Sequence, residues 1–324
     1  MSKKRILVAG AGGFIGGHLV GHLEKLGHEV VAVDIKPVEE WYQLPKKSQA
    51  IEQDLSLKTA SIEVSRGVDW IFNLACNMGG MGFIENNKAL CMESVLINTH
   101  LLQAARENSV KRYFFASSAC VYAATHQDSL SMEPLREEDA YPAEPEDGYG
   151  WEKLFSERMC RHFSEDYGLE VRIARYHNVY GPLGTFDGGR EKAPAAASRK
   201  VAELVLGRKN EIEIWGDGKQ LRSFTYIDDC INGTMNLMNS GYSEPLNIGS
   251  SETVSIQDLY DLILEIEGIQ KNEVEFRYLL DAPQGVRGRS SNNELCASVL
   301  NWVPETSLRV GLESTYNWVK SQLV

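Results

Sequence analysis

Residues 5–16 constrain this chain most. A short apolar run, Arg5-Ile-Leu-Val-Ala9, leads into Gly10-Ala-Gly-Gly-Phe-Ile-Gly16 and then into a helical pattern over His18–Lys25. Strand, glycine turn and helix in that order open a βαβ unit. The glycines permit a tight turn and close backbone approach, while the helix N-terminus turns N–H groups toward an anion. The spacing is Gly10-x-x-Gly13-x-x-Gly16, because Ile15 stands where the last glycine of G-x-G-x-x-G would fall. Taken alone, the glycines also suit a plain strand-to-helix turn. Asp34 weighs against that: it ends the second strand-like run, 18 residues after Gly16, where a carboxylate binds both ribose hydroxyls. A carboxylate there repels a 2′-phosphate, so NAD is expected rather than NADP. Asp54-Leu55, after a third strand, either reaches the adenine or caps a helix.

The same alternation continues. Glu29–Val33, Trp70–Leu74, Tyr113–Ser117 and Val171–Arg175 read as buried strands, and Glu93–Glu107 and Glu152–Tyr167 as helices. Right-handed crossovers between such strands predict a Rossmann-type, doubly wound parallel sheet covered on both faces. The second half is less regular, with a strand at Glu211–Trp215 and helices near Ile227–Met238, Ile256–Glu267 and Val310–Ser321. It is expected to form a smaller α/β part packed against the sheet, with no freeing linker. The division expected is 1–178 with a return segment at about 222–248, against 179–221 and 249–324.

Charge narrows the partners. The 33 Lys+Arg and 45 Asp+Glu leave a net charge of −12. Nucleic acid and anionic membranes both want a basic face, so neither is expected. No apolar segment approaches the roughly 20 residues that cross a bilayer, and no signal-peptide pattern is present, so the expected location is the cytoplasm. The cysteines, Cys76, Cys91, Cys120, Cys160, Cys230 and Cys296, include no C-x-x-C pair, which predicts neither a metal site nor a disulfide framework.

Tyr149-Gly-Trp-Glu-Lys153 puts a phenol and an ammonium on one helical face at i and i+4. By spacing alone this is a common surface pair. A cation about 5 Å from a phenol is worth roughly 3 kcal/mol at an effective dielectric of ~20, or about two pKa units. Tyr149 could then accept a hydroxyl proton as hydride leaves for the nicotinamide. Ser117-Ser118-Ala119-Cys120 follows the fifth strand, and strand C-terminal ends face the ligand crevice in such sheets.

The glycine spacing, Ser118 and Tyr149-x-x-x-Lys153 together resemble the extended short-chain dehydrogenase/reductase family. Asn178-Val-Tyr-Gly-Pro182, Trp215-Gly-Asp-Gly218 and Arg222-Ser-Phe-Thr-Tyr-Ile-Asp228 fit the same pattern over nearly the whole chain. The resemblance implies a bound NAD, a nucleotide-sugar substrate and a homodimer built on the Glu93–Glu107 and Glu152–Tyr167 helices. Three further stretches resemble the branch of that family that epimerises GDP-mannose. They are Cys76-Asn-Met-Gly-Gly-Met-Gly-Phe83, Cys120 after Ser118, and Gly188-Gly-Arg-Glu-Lys-Ala-Pro-Ala195; Pro142-Ala-Glu-Pro145 and Gly285-Val-Arg-Gly-Arg289 accompany them. The resemblance implies that Cys120 and Lys192 are an acid/base pair, with Ser118, Tyr149 and Lys153 serving oxidation and reduction. It implies that Gly10, Gly13, Phe14, Ile15, Gly16, Asp34, Asp54, Leu55 and Leu74 hold the cofactor beside Tyr149 and Lys153. For the GDP-sugar it implies Gly79, Met81, Ser118, Asn178, Glu191, Lys192, Lys200, Gln220, Arg222 and Arg287, with Trp215 near the base. Tyr176, Tyr180, Trp302 and Trp318 are assigned to packing.

The chemistry independently wants such a pair. A sugar C–H is not acidic, but oxidation at C4 places the C3 and C5 hydrogens α to a ketone. A base can then take a proton from one face and an acid return one to the other, and the reduced cofactor restores C4 with no net consumption. Cysteine near cations is a serviceable base, and lysine a cationic acid. By themselves, Cys120 could be an inert buried thiol and Lys192 a solvated loop residue. Arg287 and Arg289 could be surface charge or, beside glycines, a diphosphate clamp.

Cys76-Asn77 departs from the Ala-Asp that the resemblance leads one to expect, so another GDP-hexose or a GDP-heptose stays open as substrate. A 4-epimerase would leave Cys120 and Lys192 idle. A 4,6-dehydratase usually wants a carboxylate beside Ser118, which Ala119-Cys120 does not supply. A non-catalytic NAD-sensing or nucleotide-sugar-binding protein would have no use for Tyr149 and Lys153. In an acidic chain, binding a diphosphate predicts that Lys153, Lys192, Lys200, Arg222 and Arg287 gather at one crevice, with carboxylates left outside.

Overall fold

The computed structural model of the protein describes residues 3–130 and 133–324. Six strands carry the first half: β1 (Arg5–Ala9), β2 (Glu29–Asp34), β3 (Gln49–Glu52), β4 (Trp70–Asn73), β5 (Arg112–Ser118) and β6 (Glu170–Tyr176). With a seventh strand at Pro245–Ile248, they form one sheet in the order β3-β2-β1-β4-β5-β6-(245–248). Every neighbouring pair is parallel. The order reverses between β1 and β4, which opens a crevice at their C-terminal ends, the place where such sheets bind ligands.

Parallel strands covered on both faces need apolar residues at successive positions, and β1 shows why. Ile6 and Val8 enter one core with α1 (Phe14–Lys25) and the helix Ile227–Asn239, while Leu7 and Ala9 enter the other. That second core is covered by α2 (Lys58–Val64), α5 (Ser94–Glu107) and α6 (Tyr149–Tyr167). All four β1 residues are completely buried, and each large one contributes roughly 1.5–3 kcal/mol by leaving water. Two short helices, α3 (Met81–Asn86) and α4 (Lys88–Met92), precede α5, and α7 (Ala193–Val205) opens the C-terminal part. There Ala197, Val201 and Ala202 of α7 pack with Ile212, Ile214, Leu259, Ile263 and Leu312 in a separate core. Small sheets complete this half, including Thr253–Ser255, Leu221–Ser223 and Gly288–Arg289 side by side.

The strands expected from the pattern are present, some a residue or two longer and the one expected over Trp70–Leu74 a residue shorter. Two helices begin earlier than expected: α1 at Phe14 instead of His18, and α6 at Tyr149 instead of Glu152. In both cases glycines in the first turn mask the helical periodicity. Among the described residues, no helix is long and apolar enough to cross a membrane, and no group of three or more His, Cys, Asp or Glu side chains could hold a metal ion.

Candidate active site

A cleft of about 1410 Å³ runs from the glycine turn, across the C-terminal ends of β1, β4 and β5, to α7 and the small sheets. Its first half is built by backbone. Gly10 has φ +85°, and both Gly10 and Ala11 donate to the Val33 carbonyl at 2.9 and 3.0 Å, which ties the turn to β2. A Cβ on Gly16 would stand 2.0 Å from the Gly10 oxygen, so only glycine lets α1 begin this close to the turn. Gly13 caps α1 without a side chain, leaving the first N–H groups of that helix free for an anion.

Asp34 stands where the pattern expects it. One carboxylate oxygen accepts the Gly12 N–H and the other the Lys36 N–H, both at 3.0 Å. Burial nevertheless holds its carboxyl above the usual range. Asp54 accepts the Ser56 N–H at 2.8 Å, so it shapes the turn before α2 while also lining the cleft with Leu55 and Leu74. The residues present fit a dinucleotide: a side-chain-free turn, an uncapped helix end and a carboxylate at the ribose position. A strap after β2 closes this half, where Gln43 donates to the carbonyls of Phe14 and Leu183 at 3.1 and 3.2 Å.

The other half holds the reactive side chains. Ser118 ends β5, and its hydroxyl accepts the Cys120 N–H at 3.2 Å and reaches the Tyr149 phenol. Lys153 is buried one helical turn below, 5.5 Å from the Tyr149 ring centroid and 3.5 Å from Glu152 Oε2. The expected lowering of the Tyr149 pKa is overturned in this arrangement. The phenol is pushed well above its ordinary value, by burial first and then by Cys76, Cys120 and Glu152. Part of the Lys153 charge is spent on Glu152 and on the Cys76 thiol instead. Cys76 therefore sits against both Tyr149 and Lys153, a placement its loop position did not reveal.

Cys120 lies in a 3₁₀ turn after Ser118 and is 6% exposed. Arg289 donates from Nη1 to its sulfur at 3.4 Å. Burial and the Glu146 carboxylate push the thiol up, while Arg289 and Lys192 pull it down; the net direction is up. Lys192 caps α7 from across the cleft and is half-buried. The loop after β4 is seated on the same segment. Gly80 donates to the Arg190 carbonyl at 3.1 Å, and Gly79 and Met81 line the cleft beside Glu191.

Toward the far end, Asn178 adopts φ +40° and donates to the Ser223 carbonyl at 3.1 Å. Lys200 donates to the Glu213 carbonyl at 2.6 Å, and burial lowers its pKa. Trp215 is 45% exposed, its ring edge 3.2 Å from where a Gly82 Cβ would be. Gln220 is buried with its Oε1 unpartnered. Arg222 donates to the Val286 carbonyl at 2.6 Å, and burial beside Arg289 pushes it down to about 9. A half-buried guanidinium of lowered pKa gains from an incoming anion.

Two expectations need correction. Arg287 pairs with Asp217 through two contacts of 3.1 Å and does not line the cleft; Arg289 takes the interior place, being a β-strand neighbour of Arg222. Nor are carboxylates left outside, since Asp34, Asp54, Glu191 and Glu213 all line the cleft. They are tolerated because each has its own work: Asp34 and Asp54 accept backbone N–H groups, Glu191 meets Arg199 at 3.3 Å, and Glu213 pairs with Arg277. Tyr176 and Tyr180 pack in the cores, as assigned, and also reach the cleft wall. Arg289 and Glu146 are the functional neighbours of Cys120 that sequence reasoning missed; the paired arginines of residues 285–289 were the available signal.

Relatives of known name share this architecture. GDP-mannose 3,5-epimerase 1 of Oryza sativa subsp. japonica is 44% identical over 322 residues, spanning 99% of this chain and 83% of that protein. GDP-mannose 3,5-epimerase of Arabidopsis thaliana is 43% identical over 320 residues, 98% of this chain and 83% of that protein. Among solved structures, UDP-glucuronic acid 4-epimerase from Bacillus cereus, in complex with UDP-glucuronic acid and NAD, is 27% identical. It superposes with a TM-score of 0.81 over 98% of this chain and 99% of that one. UDP-glucose 4-epimerase from Thermotoga maritima, with UDP-glucose, is 26% identical at a TM-score of 0.86, over 99% of this chain and all of that one. A model of the NAD dependent epimerase/dehydratase family matches residues 6–249. With that match over most of its length, and a cleft built from glycine turn, Asp34, Ser118 and Tyr149 with Lys153 buried behind it, the chain belongs to the NAD-dependent epimerase/dehydratase family.

Proposed function

We propose that the protein is an NAD-dependent epimerase of GDP-mannose, inverting C5 alone to give GDP-L-gulose and both C5 and C3 to give GDP-L-galactose. The observation that carries this reading is the Cys120 thiol, held at the end of β5 between Arg289 and the Lys192 charge, in the same cleft as Tyr149. The 43–44% identity to plant enzymes named GDP-mannose 3,5-epimerase supports the choice of substrate. NAD belongs on residues 1–178 and the return segment 222–248; the nucleotide sugar belongs on 179–221 and 249–324. Bound at the glycine turn, NAD would take a hydride from C4 and give it back at the end.

Every other step falls to the chain. Arg222 and Lys200 balance the diphosphate, Trp215 offers a face to the base, and Gln220 has a free acceptor for it. Ser118 holds the C4 oxygen, and Tyr149 takes the C4 hydroxyl proton. Because burial raises the phenol, this step depends on the added positive charge of the oxidised nicotinamide and on Lys153. With C4 a ketone, the C5–H bond breaks, its electron pair enters the enolate, and its proton forms an S–H bond on Cys120. Lys192 returns a proton to the opposite face, and the same exchange at C3 gives the second inversion. A 4-epimerase reading leaves Cys120 without a task.

The reading also supports a homodimer in the cytoplasm. Trp151 and Phe155, one turn apart on α6, are 44% and 56% exposed, an apolar face suited to a second copy. Sedimentation should give a dimer mass, and Phe155→Glu should give the monomer.

The test is incubation with GDP-mannose in D₂O, read by NMR. Deuterium at C5 and C3 is expected, and its complete absence would falsify the proposal. Tyr149→Phe should abolish labelling while the protein still retains NAD; labelling at the wild-type rate counts against oxidation at C4.

A further inference from the structure

Cys120 is bracketed by two side chains of opposite charge. Arg289 reaches its sulfur from Nη1 at 3.4 Å, while Nη2 stands 3.6 Å from Glu146 Oε2 and Nε donates to Gln127 Oε1 at 2.5 Å. Glu146 is tied to the thiol through the main chain as well, since its N–H donates to the Cys120 carbonyl at 3.0 Å. That approach requires Gly150: a Cβ there would lie 2.3 Å from the same carbonyl and 3.1 Å from the Glu146 Cβ.

Glu146 Oε2 is buried and accepts no hydrogen bond. Its nearest countercharge is Arg289 Nη2, so one guanidinium stands between the carboxylate and the sulfur and can neutralise either. Glu85 faces Glu146, and its own carboxyl is held up by burial and by that like charge. The other charged or titratable groups around the sulfur are Tyr149, Lys192, Arg222 and Arg289. Tyr149 is committed to the C4 oxygen, the arginines stay charged, and Lys192 serves the opposite sugar face; Glu146 is the carboxylate that shares Arg289 with the sulfur.

We propose that Glu146 is a proton store for Cys120, emptying the thiol so that one sulfur can serve two successive deprotonations. The proposal rests on the two-centre reading above. In the first inversion a C–H bond breaks and an S–H bond forms on Cys120. That S–H bond then breaks toward Glu146, a carboxyl O–H bond forms, and the sulfur recovers its negative charge beside Arg289. The thiolate takes the proton of the second carbon. Lys192, which is half-buried, regains its own proton from water, and the proton on Glu146 leaves to water with the product.

The test compares wild type with Glu146→Gln and Glu146→Asp, each shown to retain NAD, in D₂O with GDP-mannose. Wild type should label both carbons. The ratio of doubly to singly labelled product should fall at least about tenfold in Glu146→Gln and recover in part in Glu146→Asp, which still holds a carboxyl. A second measurement reads iodoacetamide labelling of the Cys120 peptide by mass against pH. Removing the neighbouring anion should make Glu146→Gln react several-fold faster near neutral pH. An unchanged label ratio overturns the store, as does a wild type that labels one carbon alone. No label in wild type overturns the parent function instead. The alkylation profile then decides whether Glu146 governs the thiol: a profile identical to wild type means it does not.

Discussion

Gly80 donates its N–H to the Arg190 carbonyl at 3.1 Å, and a Cβ at Gly80 would come within 2.6 Å of the Glu191 carbonyl oxygen. The loop after β4 and the loop before α7 are thus one wall of the cleft. The Arg190 guanidinium lies 4.0 Å over the Phe83 ring centroid and reinforces the seam. Lys192 follows two residues after Arg190, so its position depends on a contact that only glycine allows.

Gly80→Ala should therefore misplace Lys192 without touching the glycine turn. A displacement of about 1 Å at a reacting group can cost about 10²-fold in rate. The expected result is a loss of that order in isotope exchange with NAD still bound. NAD content by absorbance and exchange by NMR check the two halves separately, and an exchange rate equal to wild type would show that the seam does not position Lys192.

Arg289 should set the pH dependence of exchange. The working form of Cys120 is the thiolate, and Arg289 is the cation in contact with the sulfur. Arg289→Gln removes that cation and leaves burial and Glu146, both of which favour the thiol. The acid limb of the exchange rate should then move to higher pH. Each unit of displacement costs about tenfold at pH values below the limb. Arg289→Lys should fall between. A limb that stays in place would mean that another group controls the thiol.

Five strands of the large sheet were legible because they are buried and read as apolar runs; Pro245–Ile248 was not singled out, and the half-exposed edge strand Gln49–Glu52 was expected only as a third strand without bounds. The three-stranded sheet was not legible, since its strands are two or three residues long and carry no periodicity. The site divides the same way. Gly10, Gly16, Asp34, Tyr149 and Lys153 occupy positions that local spacing dictates. Arg287 and Arg289 look equivalent in sequence, yet the Gly288–Arg289 strand pairs with Leu221–Arg222 and carries Arg289 inward, while Arg287 meets Asp217. Cys76 was visible as a departure from a pattern, but its contact with Tyr149 and Lys153 depends on how the loop after β4 closes.

Beneath the site, Glu157 on α6 binds Arg175 on β6 through two contacts of 2.9 and 2.7 Å, and accepts the Ser117 hydroxyl at 2.5 Å. Both charged side chains are at most 3% exposed. Glu157→Gln should leave the guanidinium buried without its counter-charge, at a cost of roughly 3–5 kcal/mol. Urea unfolding should show this as a lower midpoint with little change in slope. A loss under about 1 kcal/mol would mean that water or a shift of Arg175 compensates.

Acid should destabilise the protein through His177. This ring is fully buried, its Nε2 donating to Asn247 Oδ1 at 2.9 Å and its Nδ1 lacking a partner. Burial, with Arg289 and Arg175 nearby, pushes it down to about 3 from an ordinary 6.5. Between those values the unfolded chain binds a proton that the folded chain refuses. Stability therefore falls as pH drops below 6.5, by up to about 1.4 kcal/mol per pH unit from this group. His177→Gln keeps an N–H donor toward Asn247 and cannot titrate. It should be less stable than wild type at pH 7.5, and the gap should narrow steadily as pH is lowered toward 5. Urea unfolding at half-unit pH intervals reads the difference, which removes the contributions of the remaining titrating groups. If the two stability curves run parallel, His177 does not carry the acid response.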